Sequence, residues 1–105
     1  MTIIVAGKLK LKPGSRDEFI EKSLEAISQA RELDGCEDFS VSPDSIDESR
    51  VSIFEKWIAR GPLDEFRNSG PENDSFSLVE SFDVNEYEIN YAPFRRRTQQ
   101  SCAGY

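Results

Sequence analysis

The sequence predicts an α+β fold with the ferredoxin-like order β-α-β-β-α-β, an antiparallel sheet carrying its helices on one face. Three observations carry this. Residues 3–12 alternate apolar and polar, an amphipathic helical stretch follows at once, and two short apolar strands precede a Gly-Pro break and a final alternating strand. A chain of 105 residues has room for one domain.

In the first strand Ile3, Val5, Gly7, Leu9 and Leu11 share one side, and Lys8, Lys10 and Lys12 the other. Ile4 and Ala6 interrupt the polar side, which predicts cover on both faces at that end. Pro13-Gly14 stops the strand. Ser15 with Glu18 three residues on reads as a capping box, and Asp17 and Glu18 complement the helix dipole. Phe19, Ile20, Leu24, Ile27 and Ala30 form an apolar stripe, and Gly35 stands where a glycine cap belongs, so the spacing predicts a helix over 15–34.

Residues 36–42 follow as a strand with Phe39 and Val41 on one face, and a polar connection covers 43–49. Residues 50–58 form the next strand, with Val51, Ile53 and Trp57 on one face and Phe54 and Ile58 on the other. Apolar residues on both sides predict a central strand. Gly61-Pro62 ends it, and Pro62 suits the first turn of a helix through Leu63, Phe66 and Arg67. Gly70-Pro71 interrupts that helix, and a second helical piece is expected from Glu72 to Glu80. The last strand is expected over 83–91, with Tyr87, Ile89 and Tyr91 opposite Glu86, Glu88 and Asn90.

A single sheet of this kind leaves one face bare. Ile4, Ala6, Phe54 and Ile58 make that face partly apolar, so a homodimer is expected, sheet against sheet. The domain occupies 1–91. Residues 92–105 have no period and hold three arginines and no acid. They read either as a frayed terminus or as an arm across an acidic partner subunit, with about -10 of charge left on the rest of the chain.

The chain carries 13 Lys plus Arg against 20 Asp plus Glu, a formal net charge of -7, and no histidine. The acidic balance argues against nucleic acid as a partner. The missing histidine excludes Ser-His-Asp and Cys-His nucleophiles, His-containing zinc sites and a His-ligated haem. Asp44-Asp47-Glu48 and Glu72-Asp74 lack calcium-loop spacing, and there is no glycine-rich dinucleotide fingerprint, so no metal and no cofactor are expected. Cys36 and Cys102 are poor evidence for a disulfide, and Cys36 beside Glu37 and Asp38 sits in a field that disfavours a reactive thiolate. Residues 1–7 are apolar but short and lack a basic start, and no apolar run is long enough to span a bilayer. The expected location is cytoplasmic, with no membrane partner.

The run from Ile3 to Gly14 resembles the first strand and turn of antibiotic biosynthesis monooxygenase domains. So do Leu33-Asp34-Gly35-Cys36-Glu37-Asp38-Phe39, the strand segment Phe54-Glu55-Lys56-Trp57, and the helix from Gly61 to Ser69. The likeness runs in order over residues 3–91. It implies a dimeric α+β barrel. Characterised members include cofactor-independent monooxygenases of polycyclic phenols, anthrones and quinols, while related members degrade haem or act on small signalling or sugar-derived molecules. Many relatives carry histidines in and after the second helix. Here that stretch reads Glu65-Phe66-Arg67-Asn68-Ser69-Gly70-Pro71, which removes the axial ligand of the haem-degrading branch and one natural general base.

The expected function is therefore cofactor-independent monooxygenation of a small aromatic compound, with a non-catalytic dimeric ligand-binding module on the same fold as the alternative. A cofactor-free oxygenase needs an apolar cavity, a proton acceptor and a donor for developing negative charge. Phe39, Trp57, Phe66 and Phe76 are the candidates to line the cavity, Arg67 and Asn68 to stabilise charge, and Tyr87 to move a proton. Each also has a structural reading: the aromatics as core, Arg67 as a surface ion-pair partner, Asn68 as part of a helix end, Tyr87 as sheet packing. Glu55 reads either as a buried carboxylate with a raised pKa or as a solvated strand residue.

Overall fold

The computed structural model describes residues 1–69 and 75–90. Its elements are β1 (Thr2–Leu11), α1 (Arg16–Arg31), β2 (Cys36–Pro43), β3 (Arg50–Trp57), α2 (Arg60–Ser69), a single 3-10 turn (Ser75–Leu78) and β4 (Val79–Ile89). The sheet order is β2-β3-β1-β4 with every neighbouring pair antiparallel, which is the expected ferredoxin-like topology. Gly70-Pro71, the expected helix start at Glu72, Tyr91 and the 92–105 tail lie outside the described residues.

Local chemistry explains the first turn. Lys12 O accepts from Ser15 N at 3.0 Å around Pro13 and Gly14, and Gly14 has φ +76°. That is the type II pattern, with proline preset at the second position and glycine at the third. Ser15 then precedes α1, but the expected capping box does not form. Its backbone is already helical (φ -102°, ψ 0°) and its side chain makes no cap hydrogen bond. A capping side chain needs an extended backbone to reach back to the helix amides.

The inner ridge of α1 is Phe19, Ser23, Ile27 and Ala30. Ser23 replaces the expected Leu24, which is 55% exposed. One residue is a 100° rotation, which takes Leu24 off the ridge. The Ser23 hydroxyl is satisfied within the helix, donating to Phe19 O at 2.8 Å. Gly35 is not a left-handed cap, since the helix ends at Glu32 and positive φ occurs only at Gly7 and Gly14 among the described residues. Its small size matters for another reason: a Cβ there would collide with the Pro62 ring. Gly35 lets α2 start against the chain entering β2.

The expected helical piece at 72–80 is, in its described part, the 3-10 turn followed by β4. Leu11 pairs with Val79 past an irregularity at Lys10/Leu11, so β4 starts four residues earlier than its alternation suggested. Long-range ladder pairing overrides a weak local helical pattern.

Residues opposed across antiparallel strands share a face. Facing the helices are three rows across the sheet: Phe39–Glu55–Val5–Glu86, Val41–Ile53–Gly7–Val84 and Pro43–Val51–Leu9–Phe82, with Trp57–Ile3–Glu88 beyond the first. Their apolar members, with Leu11 of β1, Phe19, Ile27 and Ala30 of α1 and Leu63 of α2, make two core clusters. One gathers Ile3, Val5, Ile27, Ala30, Phe39, Trp57 and Leu63, the other Leu9, Leu11, Phe19 and Val51. A Cβ on Gly7 would collide with the Asp83 carbonyl and the Val84 Cα, so β4 approaches β1 closely only because Gly7 has no side chain.

Candidate functional site

Between α1 and the inner face of the sheet lies a cavity of about 220 Å³. Its walls include Phe19 of α1, Phe39 and Val41 of β2, Ile53 of β3 and Val84 of β4, and Phe76 lies at its edge. Phe76 is 64% exposed, and its ring tilts against Phe82 at 5.9 Å. The lining is almost wholly apolar. Ser23 is part of it, but its hydroxyl is committed to the helix backbone.

One row further along the sheet the chemistry changes. Trp57 is completely buried and packs with Phe39 (centroids 6.5 Å, edge-on) and Phe66 (5.5 Å), while Phe39 and Phe66 meet at 5.6 Å. Phe39 belongs both to this cluster and to the cavity wall. A buried indole needs an acceptor. Trp57 finds it in Glu55, donating from Nε1 to Oε1 at 3.0 Å.

Glu55 is half-buried on the inner face, between Phe39 and Val5 in its row. Desolvation pushes its pKa up. The indole hydrogen bond and the Arg67 charge oppose this, and the Glu86 charge adds to it. Glu86, in the same row but at the sheet edge, is shifted the other way. Arg60 Nη1 holds its Oε1 at 2.9 Å and Arg67 Nη1 its Oε2 at 3.1 Å, and these two hydrogen bonds lower its pKa. Arg60 also reaches Glu88 at 3.5 Å.

The residues expected at the site are thus divided. Phe39 and Phe76 line the cavity, and Trp57 and Phe66 form the aromatic cluster beside it. Arg67 is exposed and paired with Glu86, and Asn68 is exposed on α2. Tyr87 opposes Ile4, which puts it on the outer face, across the sheet from the cavity. The alternation of β4 separated Tyr87 and Ile89 from Glu86 and Glu88 correctly. Pairing Val5 with Glu86 turned the glutamates inward. Glu55 is the residue that the sequence reasoning underweighted. Its signal was parity, since it stands between Ile53 and Trp57 on the inward side of β3.

Other polar groups are already engaged. Asp44 accepts from the Ile46 and Asp47 amides at 2.9 and 2.7 Å and from Arg50 at 2.8 Å, which holds its carboxyl well below the usual range. Asp47 accepts from Lys10 at 2.6 Å. The Asp44 bonds close the β2–β3 loop on itself, and the Lys10 bond ties it to β1. The Cys36 thiol is pushed up by burial, the opposite of an activated thiolate. Among the described residues no group of three or more His, Cys, Asp or Glu side chains is placed to hold a metal ion, and no helix is long and apolar enough to cross a membrane.

Comparison with known proteins bears on this geometry. The family model described as antibiotic biosynthesis monooxygenase matches residues 2–74. An uncharacterized protein of Synechocystis is 37% identical over 62 residues, 59% of this chain and 42% of that protein, so the chain spans less than half the length of this curated relative. A protein of Nitrosomonas europaea, provisionally named an antibiotic biosynthesis monooxygenase, superposes with a TM-score of 0.74 at 14% identity, covering 87% of this chain and all 100% of its own. A second, from Chloroflexus aurantiacus and named in the same provisional way, gives 0.73 at 20% identity over 90% and 98% of the two chains. A conserved protein of Methanosarcina mazei gives 0.69 at 22% identity over 86% and 94%. At these identities the structural likeness establishes the fold.

Proposed function

The chain belongs to the antibiotic biosynthesis monooxygenase family, and from that premise we propose that it is a cofactor-independent monooxygenase of a small aromatic substrate, of quinol or anthrone type. The observation that carries the proposal is the apolar cavity between α1 and the sheet, with aromatic side chains in its wall and at its edge. Such a half-open apolar cavity suits a neutral ring system, and a bound ring would displace water from its walls. A dry cavity of roughly 150 Å³ accepts benzene. At about 220 Å³ this one suits two fused rings better than three.

The chemistry balances without a cofactor. The substrate loses a proton, and the resulting anion passes an electron to O₂. For a methylene carbon the outcome is a carbonyl and one water: O₂ takes four electrons, one oxygen enters the substrate and the other leaves as water. The protein would supply the apolar cavity, a proton acceptor and positive charge for the developing oxyanion, the last of which we assign to Arg67 of α2.

The homodimer is part of the proposal. Phe54, Tyr87 and Ile89 are 38%, 49% and 36% exposed on the outer face, beside half-buried Ile4 and Ala6. A second sheet would cover them. Cytoplasmic location is also part of it, and Cys36 as a free thiol fits a reducing compartment. The second reading, a non-catalytic ligand-binding module, is favoured by one observation: among the described residues the cavity lining is apolar but for Ser23, whose hydroxyl is bonded to the helix backbone, and Ser75.

Oxygen uptake with a panel of two-ring quinols and three-ring anthrones separates the readings. The enzyme reading expects consumption without added flavin, haem or metal, undiminished by a chelator, and fastest for two rings. Binding of the same compounds with no oxygen uptake would establish the module. Activity lost to a chelator and restored by a metal would sink the cofactor-free reaction.

A further inference from the structure

We propose that Ser23 and Ala26 of α1 are the specificity-determining residues of this cavity, the pair whose small side chains admit the second ring of a ligand. The proposal rests on the reading of the cavity as an aromatic-ligand site. It assigns the ring-size limit of that site to two positions on one helix.

The cavity lies where the core is interrupted. The inner ridge of α1 runs Phe19, Ser23, Ile27 and Ala30. Phe19 belongs to the core cluster of Leu9 and Val51, and Ile27 and Ala30 to that of Trp57. Ser23 stands between them and belongs to neither. Val41 and Val84 of the sheet pack against both clusters, and both line the cavity. The void is therefore the joint between two clusters that a larger residue at position 23 would connect.

Small residues open this joint from both layers. Three members of the sheet row Val41–Ile53–Gly7–Val84 line the cavity, and the fourth, Gly7, has no side chain. That gap is imposed by strand packing, because a Cβ on Gly7 would meet the Asp83 carbonyl. The helix layer is under no such constraint. Phe19, Ser23 and Ala26 face the cavity at the i, i+4, i+7 spacing of one helical face. Ser23 is 7% exposed, and its hydroxyl is bonded only within its own helix, to Phe19 O. This buried position thus forgoes the apolar contact that Phe19 and Ile27 make on either side of it. Leucine is also the better helix former there. A close-packed core avoids such a gap, whereas a ligand entering past exposed Phe76 and Phe82 fills it.

A mere packing defect makes a different prediction: filling it raises stability and leaves ligand preference alone. Two neutral probes, 2-naphthol and phenol, separate the cases by the ratio of their affinities in titration calorimetry. Ser23→Ala deletes the hydroxyl and improves helix propensity without filling the space, so the ratio should not move. Ser23→Leu should melt above Ser23→Ala, because it fills the void. It should also lower the ratio of 2-naphthol to phenol affinity by roughly 10–200-fold, the range for a methylene-scale misfit in an apolar pocket. Ala26→Leu fills the same wall from a half-buried position and should lower the ratio in the same direction. An unchanged ratio in folded Ser23→Leu and Ala26→Leu would overturn the assignment and leave the aromatic site standing. Ser23→Leu melting below Ser23→Ala would overturn it too, since the branch would then have no void to enter. A wild-type protein that binds neither probe would sink the assignment and the aromatic site together. Ring-size dependence on residue 23 in a protein that consumes no oxygen would uphold the assignment and remove the oxygenase reading alone.

Discussion

The two faces of the sheet break their own patterns in opposite senses. The inner face is apolar from Leu11 to Ile3 along β1, yet it carries Glu55 in mid-row and Glu86 and Glu88 at its edge. The outer face is built from Lys8, Lys10, Ser52 and Asp83, with Lys8 and Asp83 paired at 3.5 Å, yet it carries Phe54, Tyr87 and Ile89. An apolar residue among charges costs little until a partner covers it, so the outer exceptions point to association. A carboxylate among apolar groups is costly unless it is paired, and here the Trp57 indole holds Glu55 while Arg60 and Arg67 hold Glu86.

The sharpest test of the inner face is its largest side chain. Trp57→Ala removes the fully buried hub of the aromatic cluster and should cost about 3–5 kcal/mol in urea unfolding. A loss under about 1 kcal/mol would mean that Phe39 and Phe66 pack without it. On the outer face, Phe54→Asp with Tyr87→Asp should halve the mass seen by light scattering, to the 11.9 kDa of one chain, while protomer stability changes by no more than about 0.5 kcal/mol per substitution. A wild-type protein already monomeric at micromolar concentration would break the comparison at that point.

Phe76 is a smaller test at the cavity edge. Because it is exposed, Phe76→Ala should barely alter unfolding but weaken an aromatic ligand several-fold, the loss of one ring contact worth about 0.5–1.5 kcal/mol. The smallest effect belongs to the exposed cations: Arg60→Ala and Arg67→Ala should each cost about 0.2–1 kcal/mol, less in high salt.

Glu55 and Glu86 should also respond oppositely to pH. The Glu86 pKa is lowered, so its pairing stabilises the fold above the ordinary glutamate value and fades as pH falls through the folded value. The Glu55 pKa is raised, so the folded state holds the proton more tightly than the unfolded chain. Stability from this group is greatest below the ordinary value and declines as pH rises through the folded one. Glu55→Gln should therefore be at least as stable as wild type at neutral pH and lose that advantage in acid, as thermal melts across pH 4–8 would show. A variant less stable than wild type throughout would indicate that the carboxylate has a structural role that glutamine cannot fill.

Much of this was legible in the residues. Alternation in β1 assigned every inward side chain from Ile3 to Leu11, and Phe39, Val41 and Trp57 fell on the side their parity predicts. The end of α1, the missing capping box at Ser15 and the start of β4 were not legible. Two of these involve partners distant in sequence, Pro62 against Gly35 and Val79 on Leu11, and the third follows from the helical backbone that the preceding turn leaves at Ser15. The same limit applies at the site. Phe39, Trp57, Phe66 and Phe76 were identified by type, but which of them meet a void depends on how α1 and the turn at Ser75–Leu78 lie over the sheet.

By itself the sequence determined the order of elements, the two-sidedness of each strand and the absence of any imidazole to handle a proton. Those are properties of composition and period, which act over a few residues. Only the tertiary structure decided which side of β4 faces the helices, and with it that Tyr87 lies across the sheet from the cavity while Glu86 draws Arg67 away from Glu55. A strand's alternation is symmetric under exchange of its faces. The register with β1, and the helices packed above it, break that symmetry.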